Sequence, residues 1–293
     1  MTESARTERA VAWAAEQWGR EVRRVDRLHG GWTSTMLRLT DADGDRAVLR
    51  LMTREPWRRH ARELLAREAV VQALLAGSAV PVPVSLAIDL DGSSGDPAHL
   101  MSWLPGRLEL TRCDDDLLTR LAALLARIHA VDPGERRPRA YQSWAQPAKR
   151  MVPDWARRPS TWTAAFDVLA APPPSYDARF LHRDFHLGNV LWSAGEVTGV
   201  VDWVETSWGP AALDVAHAAT YLAMLHGAEP AARFDGLCGP VDEHDRYWQV
   251  MDVVGYLPDP VKVAQPWRDQ GIEITDSTVR ERLEQRLDAA LTS

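Results

Sequence analysis

Cysteine is nearly absent from this sequence: Cys113 and Cys238 stand far apart and in no metal-ligand spacing. That argues against a disulfide framework and fits a reducing, cytoplasmic setting. Long apolar runs are missing too. No stretch reaches the ~18 uninterrupted apolar residues of a spanning helix, so no membrane partner is expected. The opening MTESARTERA is polar and lacks the apolar core of a secretory signal. Nor is there an excess of positive charge. With 34 Lys and Arg against 41 Asp and Glu, the formal net charge is −7. A sequence-independent nucleic-acid binder would need a basic stripe, so nucleic acid is not expected as a partner. The charge is compatible with a cationic ligand, although acidic proteins bind neutral ones as well. What is present is ordinary for a globular protein: 45% hydrophobic and 26% charged residues in 293. That is chain enough for one large domain or two modest ones.

Apolar spacing predicts a first helix from about Thr7 to Trp18, ended by Gly19. Short strands follow at Glu21 to Leu28, Thr35 to Thr40 and Arg46 to Met52, with a hairpin signal at Asp43-Gly44. A helix from about Arg59 to Leu75 precedes strands Val84 to Leu90 and Ala98 to Trp103. The first hundred residues therefore read as a five-stranded antiparallel sheet with a helix inserted after strand three. Pro105-Gly106 marks a break, after which the chain turns mainly helical, and Thr111 with Asp114 has the form of a capping box. Helices are expected around Thr161 to Leu169, Ala211 to Leu225, Asp242 to Gly255 and Asp276 to Leu291, and 131–177 gives no clear pattern. The expected division is 1–104 and 105–293.

Residues 180–202 read FLHRDFHLGNVLWSAGEVTGVVD. Asp184 and Asn189 stand five apart, followed by a β-like run, a turn at Ser193 to Gly195, and a second run ending before Asp202. A hairpin closing around Ala194 would return Asp202 beside the loop that carries Asp184 and Asn189. Two carboxylates and an amide in that order suit phosphoryl transfer. Asp184 suits the carboxylate that orients the attacking hydroxyl and receives its proton, and Asn189 and Asp202 suit the ligands that hold Mg²⁺ on the triphosphate.

HRDFHLGN resembles the catalytic-loop pattern H-x-D-x-x-x-x-N of protein kinases and, more closely, of aminoglycoside phosphotransferases and their choline-kinase relatives. Val201-Asp202-Trp203 replaces the kinase D-F-G and resembles the I/V-D-W of the phosphotransferases; Gly209-Pro210 and Leu213-Asp214-Val215-Ala216 look like a later segment of that family. The resemblance, running from His29 to about Met224, implies an α+β, bilobal, protein-kinase-like fold. It would have a small antiparallel β-rich N-terminal lobe with one key helix and a larger, mainly helical C-terminal lobe. It implies ATP or GTP as co-substrate, Mg²⁺ as cofactor and a small hydroxyl-bearing acceptor. Asp214 and His182 would support the catalytic loop from behind.

The amino-terminal half adds to this. Glu68 shares a helix face with Leu64, Val71 and Leu75, a costly place for a carboxylate unless it is paired, and Arg50 in strand three is the expected partner. By resemblance, that pair positions the nucleotide phosphates. His29 to Thr35 takes the place of the phosphate-covering loop but departs from G-x-G-x-x-G, making Gly31, Ser34 and Thr35 candidates for phosphate contact. Ser102, Trp103 and Leu104 fall where the family's hinge meets the base. Glu205 and Asp252, with Asp242, Glu243 and Asp245, are candidates for an acceptor site that could hold amines, against the plainer expectation of solvated surface acids. Trp103, Trp203 and Trp208 are expected to pack at least as readily as to stack.

Two other readings stand beside this one. His182, Asp184 and His186 alternate, and Asp214 and His217 follow, as a metallohydrolase cluster would. A catalytically silent nucleotide-binding pseudokinase would also keep the fold. Monomer and homodimer are both compatible with the sequence, as are antibiotic resistance and housekeeping metabolism.

Overall fold

Period-two alternation lays out the first part of the chain. In the computed structural model, residues 2–28, 34–239 and 243–292 are described. Helix α1 (Glu3–Trp18) begins earlier than Thr7 because the Thr2 hydroxyl caps it, accepting from the Ala5 N–H at 3.3 Å. Gly19 ends it with a left-handed φ of 69°. Strands β1 (Val22–Leu28), β2 (Thr35–Asp41) and β3 (Arg46–Leu51), helix α2 (Ala61–Leu75), and strands β4 (Ser85–Asp89) and β5 (Ala98–Ser102) follow. The five strands are all antiparallel, in the order β1-β2-β3-β5-β4. At the β2–β3 turn, Asp41 Oδ1 accepts from the N–H groups of Asp43 and Asp45, both at 2.9 Å. One face of the sheet, with Leu37, Leu39, Ala47, Leu49, Leu51 and Leu100, packs on Ala10 and Ala14 of α1. Alternation then turns Arg50 to the other face, opposite His99 on β5 in the register. His29 to Thr33, Gly31 among them, lie outside the described residues.

Beyond the sheet come α3 (Asp115–His129), α4 (Pro159–Ala170), β6 (Ala178–Leu181), β7 (Val190–Ser193), β8 (Glu196–Val200) and β9 (Ser207–Pro210). Helices α5 (Ala212–His226), α6 (Ala228–Cys238), α7 (Glu243–Gly255), α8 (Gln265–Arg268) and α9 (Asp276–Thr292) complete the chain. Asp114 caps α3 directly, its carboxylate accepting from the Leu117 N–H at 3.1 Å, so the cap sits at Asp114 and not at Thr111. Leu117, Leu121, Leu124, Leu125 and Ile128 form the buried stripe. Helix α5 is buried on nearly every side from Leu213 to Leu225, as befits a central helix. No helix among the described residues is long and apolar enough to cross a membrane.

The chain divides into two compact units: Met1–Arg107 with Leu191–Glu205, and Leu108–Val190 with Thr206–Ser293. This differs from a break at residue 104, because the β7–β8 hairpin joins the first unit. Arg107 and Trp192 exchange backbone hydrogen bonds of 3.0 and 2.8 Å, Val200 N–H donates to the Pro81 carbonyl at 2.7 Å, and Thr198 Oγ1 donates to the Pro105 carbonyl at 2.6 Å. Val204 packs with Met52, Leu64 and Leu65. Gly106 is required at this junction. Its φ is 110°, and a Cβ there would stand 2.8 Å from the Trp192 carbonyl oxygen.

Candidate active site

Within the first unit, β3, β5, α2 and the segment after β8 bring a chain of charged groups together. Arg50 is 3% exposed and Glu68 fully buried. The Arg50 guanidinium reaches Glu68 Oε1 at 3.2 Å and Asp202 Oδ1 at 3.0 Å. Glu68 Oε2 lies 3.0 Å from His99 Nδ1, and His99 Nε2 lies 2.9 Å from Ser85 Oγ. A carboxylate can only accept, so Nδ1 of His99 carries a proton toward Glu68. Burial works against the charge on Glu68. Arg50 and the His99 hydrogen bond outweigh it and hold the carboxyl below its ordinary range. Asp202 adopts a left-handed φ of 66°, and its side chain is 29% exposed. Its neighbour Trp203 is buried and donates from Nε1 to the Val200 carbonyl at 2.9 Å, so that indole packs.

Within the second unit, Asp214 at the start of α5 locks the loop between β6 and β7. Its buried carboxylate accepts from the N–H groups of His182 at 2.9 Å and Arg183 at 2.7 Å, and faces His129 Nε2 at 3.2 Å. These bonds hold Arg183 at a left-handed φ of 74°. His182 Nδ1 accepts from the Asp184 N–H at 3.3 Å. Asp184 then presents its carboxylate to three partners. His217 Nε2 is 3.1 Å and His186 Nε2 3.6 Å from Oδ1, while Asn189 Nδ2 is 3.2 Å from Oδ2. Burial raises the Asp184 carboxyl, but the neighbouring imidazoles His186 and His217 prevail and hold it far below the usual carboxylate range. Asn189 Nδ2 also reaches the Asp184 carbonyl at 2.8 Å. It also stands 3.4 Å from His186 Nε2. The two Asp184 oxygens can only accept, so the amide nitrogen faces them and the amide oxygen turns elsewhere.

The sequence profile of the phosphotransferase enzyme family (APH) matches residues 24–248, spanning most of both units. The chain belongs to that family. Among solved structures, aminoglycoside phosphotransferase APH(4)-Ia is similar at 18% identity, with 98% of each chain covered and a TM-score of 0.65. A thermostable mutant of APH(4)-Ia, in ternary complex with ADP and hygromycin B, is similar at 19% identity, with a TM-score of 0.66 over 96% of this chain and 97% of that one. APH(2")-IIIa in its GDP and kanamycin complex is 17% identical, with a TM-score of 0.63 over 96% and 97% of the two chains. These likenesses establish the α+β phosphotransferase fold. No curated protein sequence matches the chain.

Most of the other described candidate residues of this phosphotransferase are engaged by their own neighbours. Ser34 and Thr35 are buried, and their hydroxyls are engaged within the first unit: Ser34 Oγ meets Met36 Sδ at 3.5 Å and Thr35 Oγ1 meets Thr53 Oγ1 at 3.0 Å. Ser102 exchanges hydrogen bonds with Val84, Leu104 lies against Gly199, and Trp103 stands beneath the guanidinium groups of Arg38 and Arg46. Glu205 and Asp245 are half-buried, Asp242 lies outside the described residues, and the side chain of Glu243 is not described. Asp252 corrects the expectation of a solvated surface acid. It is 1% exposed and bonds His217 Nδ1 at 2.9 Å, because α7 packs it inward against α5.

Asp184, His186 and His217 bring one ligand atom each within 4.8 Å of one another, a set that could hold a metal ion. The proton positions oppose it. His186 Nδ1 accepts from the Gly188 N–H at 3.0 Å, so the neutral ring carries its proton on Nε2, the atom facing Asp184. Burial pushes that ring down to about 4, which keeps it neutral near pH 7. His217 lies between two carboxylates and donates to both. Each imidazole thus offers Asp184 an N–H and not a lone pair, and His182 is spent on the backbone. His99, His129 and Tyr256 escaped the sequence reading altogether. The one available signal was the i,i+3 spacing of Asp214 and His217, which places both on the α5 face turned to the loop.

Proposed function

We propose that this protein transfers the γ-phosphoryl group of ATP or GTP to a hydroxyl of a small molecule, with Asp184 orienting the acceptor hydroxyl and taking its proton. The observation that carries the reading is the Asp184 carboxylate: ionised, bound at both oxygens, and mounted on a loop pinned by Asp214. A carboxylate fixed in this way can orient the acceptor hydroxyl and take its proton during transfer. Arg50, steadied by Glu68, would bind the triphosphate oxygens, its guanidinium forking between carboxylate and phosphate.

Mg²⁺ is the metal proposed. Asn189, in the second unit, turns its amide oxygen away from Asp184, and Asp202, in the first, carries a carboxylate; each offers a hard oxygen of the kind that ion takes. When bound, the ion would neutralise the phosphate charge. An aminoglycoside is the first acceptor to try, since similar structures carry hygromycin B and kanamycin.

The test is a coupled assay of nucleoside diphosphate release over a panel of hydroxyl-bearing metabolites and antibiotics. One member should give acceptor- and magnesium-dependent release. Asp184→Asn should cut that turnover by about 10²-fold or more while nucleotide still binds. Undiminished turnover in Asp184→Asn would reject the assignment. Nucleotide binding without release for any acceptor would favour a silent pseudokinase.

A further inference from the structure

Asp214 accounts for the backbone of the catalytic loop but not for a second buried array that meets the loop at its reactive carboxylate. His217, one turn along α5, is 3% exposed and lies between Asp184 Oδ1 at 3.1 Å and Asp252 Oδ1 at 2.9 Å. The ring is walled in. Trp144 meets it edge-on with centroids 5.2 Å apart, Tyr256 stacks at 5.9 Å, and His186 lies at 5.7 Å. We infer that His217, anchored by Asp252, is a positioning residue for phosphoryl transfer, an imidazolium that fixes the rotation of the Asp184 carboxylate and keeps it ionised. This rests on the reading of Asp184 as the group that orients the acceptor hydroxyl.

Carboxylates accept and do not donate, so a ring bonded to one at each nitrogen must carry both protons. Burial alone would strip the second proton; the flanking carboxylates, Asp252 above all, overcome it and push His217 up to about 9. The remaining polar groups around the ring do not compete for that charge. His186, from the catalytic loop, is neutral, and the Tyr256 hydroxyl, 3.3 Å from Nδ1, is raised well above its ordinary range by burial. The Arg183 guanidinium stacks on Trp144, its carbon 3.9 Å from that ring's centroid.

Asp252 Oδ2 is buried and has no hydrogen-bond partner among the described residues. Burying a carboxylate with one oxygen unbonded is costly unless a positive group stands beside it, and His217 is the group bonded to it. With Asn189 on Oδ2 and His217 on Oδ1, Asp184 cannot swing about its Cβ–Cγ bond. Above about pH 9 the neutral ring keeps one N–H, which can serve Asp252 or Asp184 but not both.

The test uses Mg–ATP hydrolysis, with water as acceptor, alongside ¹⁵N NMR of the histidine rings, which needs no turnover. His217→Gln identifies the ring signal. In the unaltered protein His217 should show the imidazolium signature at pH 7, and kcat should fall as pH rises through about 9. Asp252→Asn should lower the pH at which His217 loses its proton by at least about one unit, one charge being removed from its side. Asp252→Asn and His217→Gln should each lower kcat about 10- to 10²-fold, the scale of a misplaced catalytic group, with the KM for ATP unchanged. Retained binding of a fluorescent ATP analogue verifies that each variant is folded. A neutral His217 at pH 7 overturns the proposal. So does unaltered kcat and alkaline limb in His217→Gln when Asp184→Asn is inactive, an outcome that leaves the role of Asp184 standing. Full hydrolysis by Asp184→Asn overturns that role, and the proposal with it.

Discussion

Arg50 has two carboxylates on one guanidinium, and its burial decides what its loss would do. Replacing one partner of a buried pair leaves a charge with neither water nor counterion, which costs about 3–5 kcal/mol. Arg50→Met should therefore destabilise the protein by that amount in urea unfolding near pH 7. The pH dependence gives the sharper check. With Arg50 in place, the folded-state pKa of Glu68 lies below its unfolded value. Its contribution to stability is then present above the ordinary carboxylate range and lost as pH falls through the folded value. Without Arg50, desolvation dominates and the folded pKa rises above the unfolded one. The contribution reverses sign: the variant loses stability as pH rises through its unfolded value, so the deficit should be largest near pH 8 and shrink toward pH 5. A deficit independent of pH would mean that Glu68 is balanced by His99 alone.

At the scale of elements, helix α3 isolates one interaction. Asp114 accepts from the Leu117 N–H and stands at the positive end of the helix dipole. Asp114→Ala should cost about 1 kcal/mol in thermal or urea melts, and Thr111→Ala much less; the reverse ranking would return the cap to Thr111. Patterns carried by one element were legible without coordinates: the alternation of the sheet, the turn at Ala194 and Gly195 with φ of 51° and 81°, and the spacing of Asp184 and Asn189. Elements held by their partners were not. Strand β9 reads Ser-Trp-Gly-Pro, with no alternation, and exists because β6 pairs with it, Phe180 opposite Trp208. Helix α6 has Pro230 in its first turn and Gly236 near its end, poor local signals for a helix that packs on α3 and α5. Asp252 looked like a surface acid for the same reason, since only the packing of α7 against α5 turns it inward.

For the whole molecule, ligand binding and folding are linked, and this gives a test of Asp202 that needs no acceptor. A ligand that binds only the folded protein adds about 2.7 kcal/mol of stability at a concentration 100 times its Kd. If Asp202 helps to hold Mg²⁺ on the nucleotide, the rise in Tm produced by ATP should be larger with Mg²⁺ than with EDTA. Asp202→Ala should lose the magnesium-dependent part of that rise. The variant also deprives Arg50 of one counterion, so the unliganded protein will melt lower. The two effects separate because the lost ion pair acts at zero nucleotide, whereas the metal acts only through the ligand-dependent increment. An Asp202→Ala protein that melts lower but keeps the full magnesium-dependent rise would leave Asp202 as a partner of Arg50 and not as a metal ligand. A variant that loses the magnesium increment while still gaining stability from ATP alone would place its carboxylate on the ion.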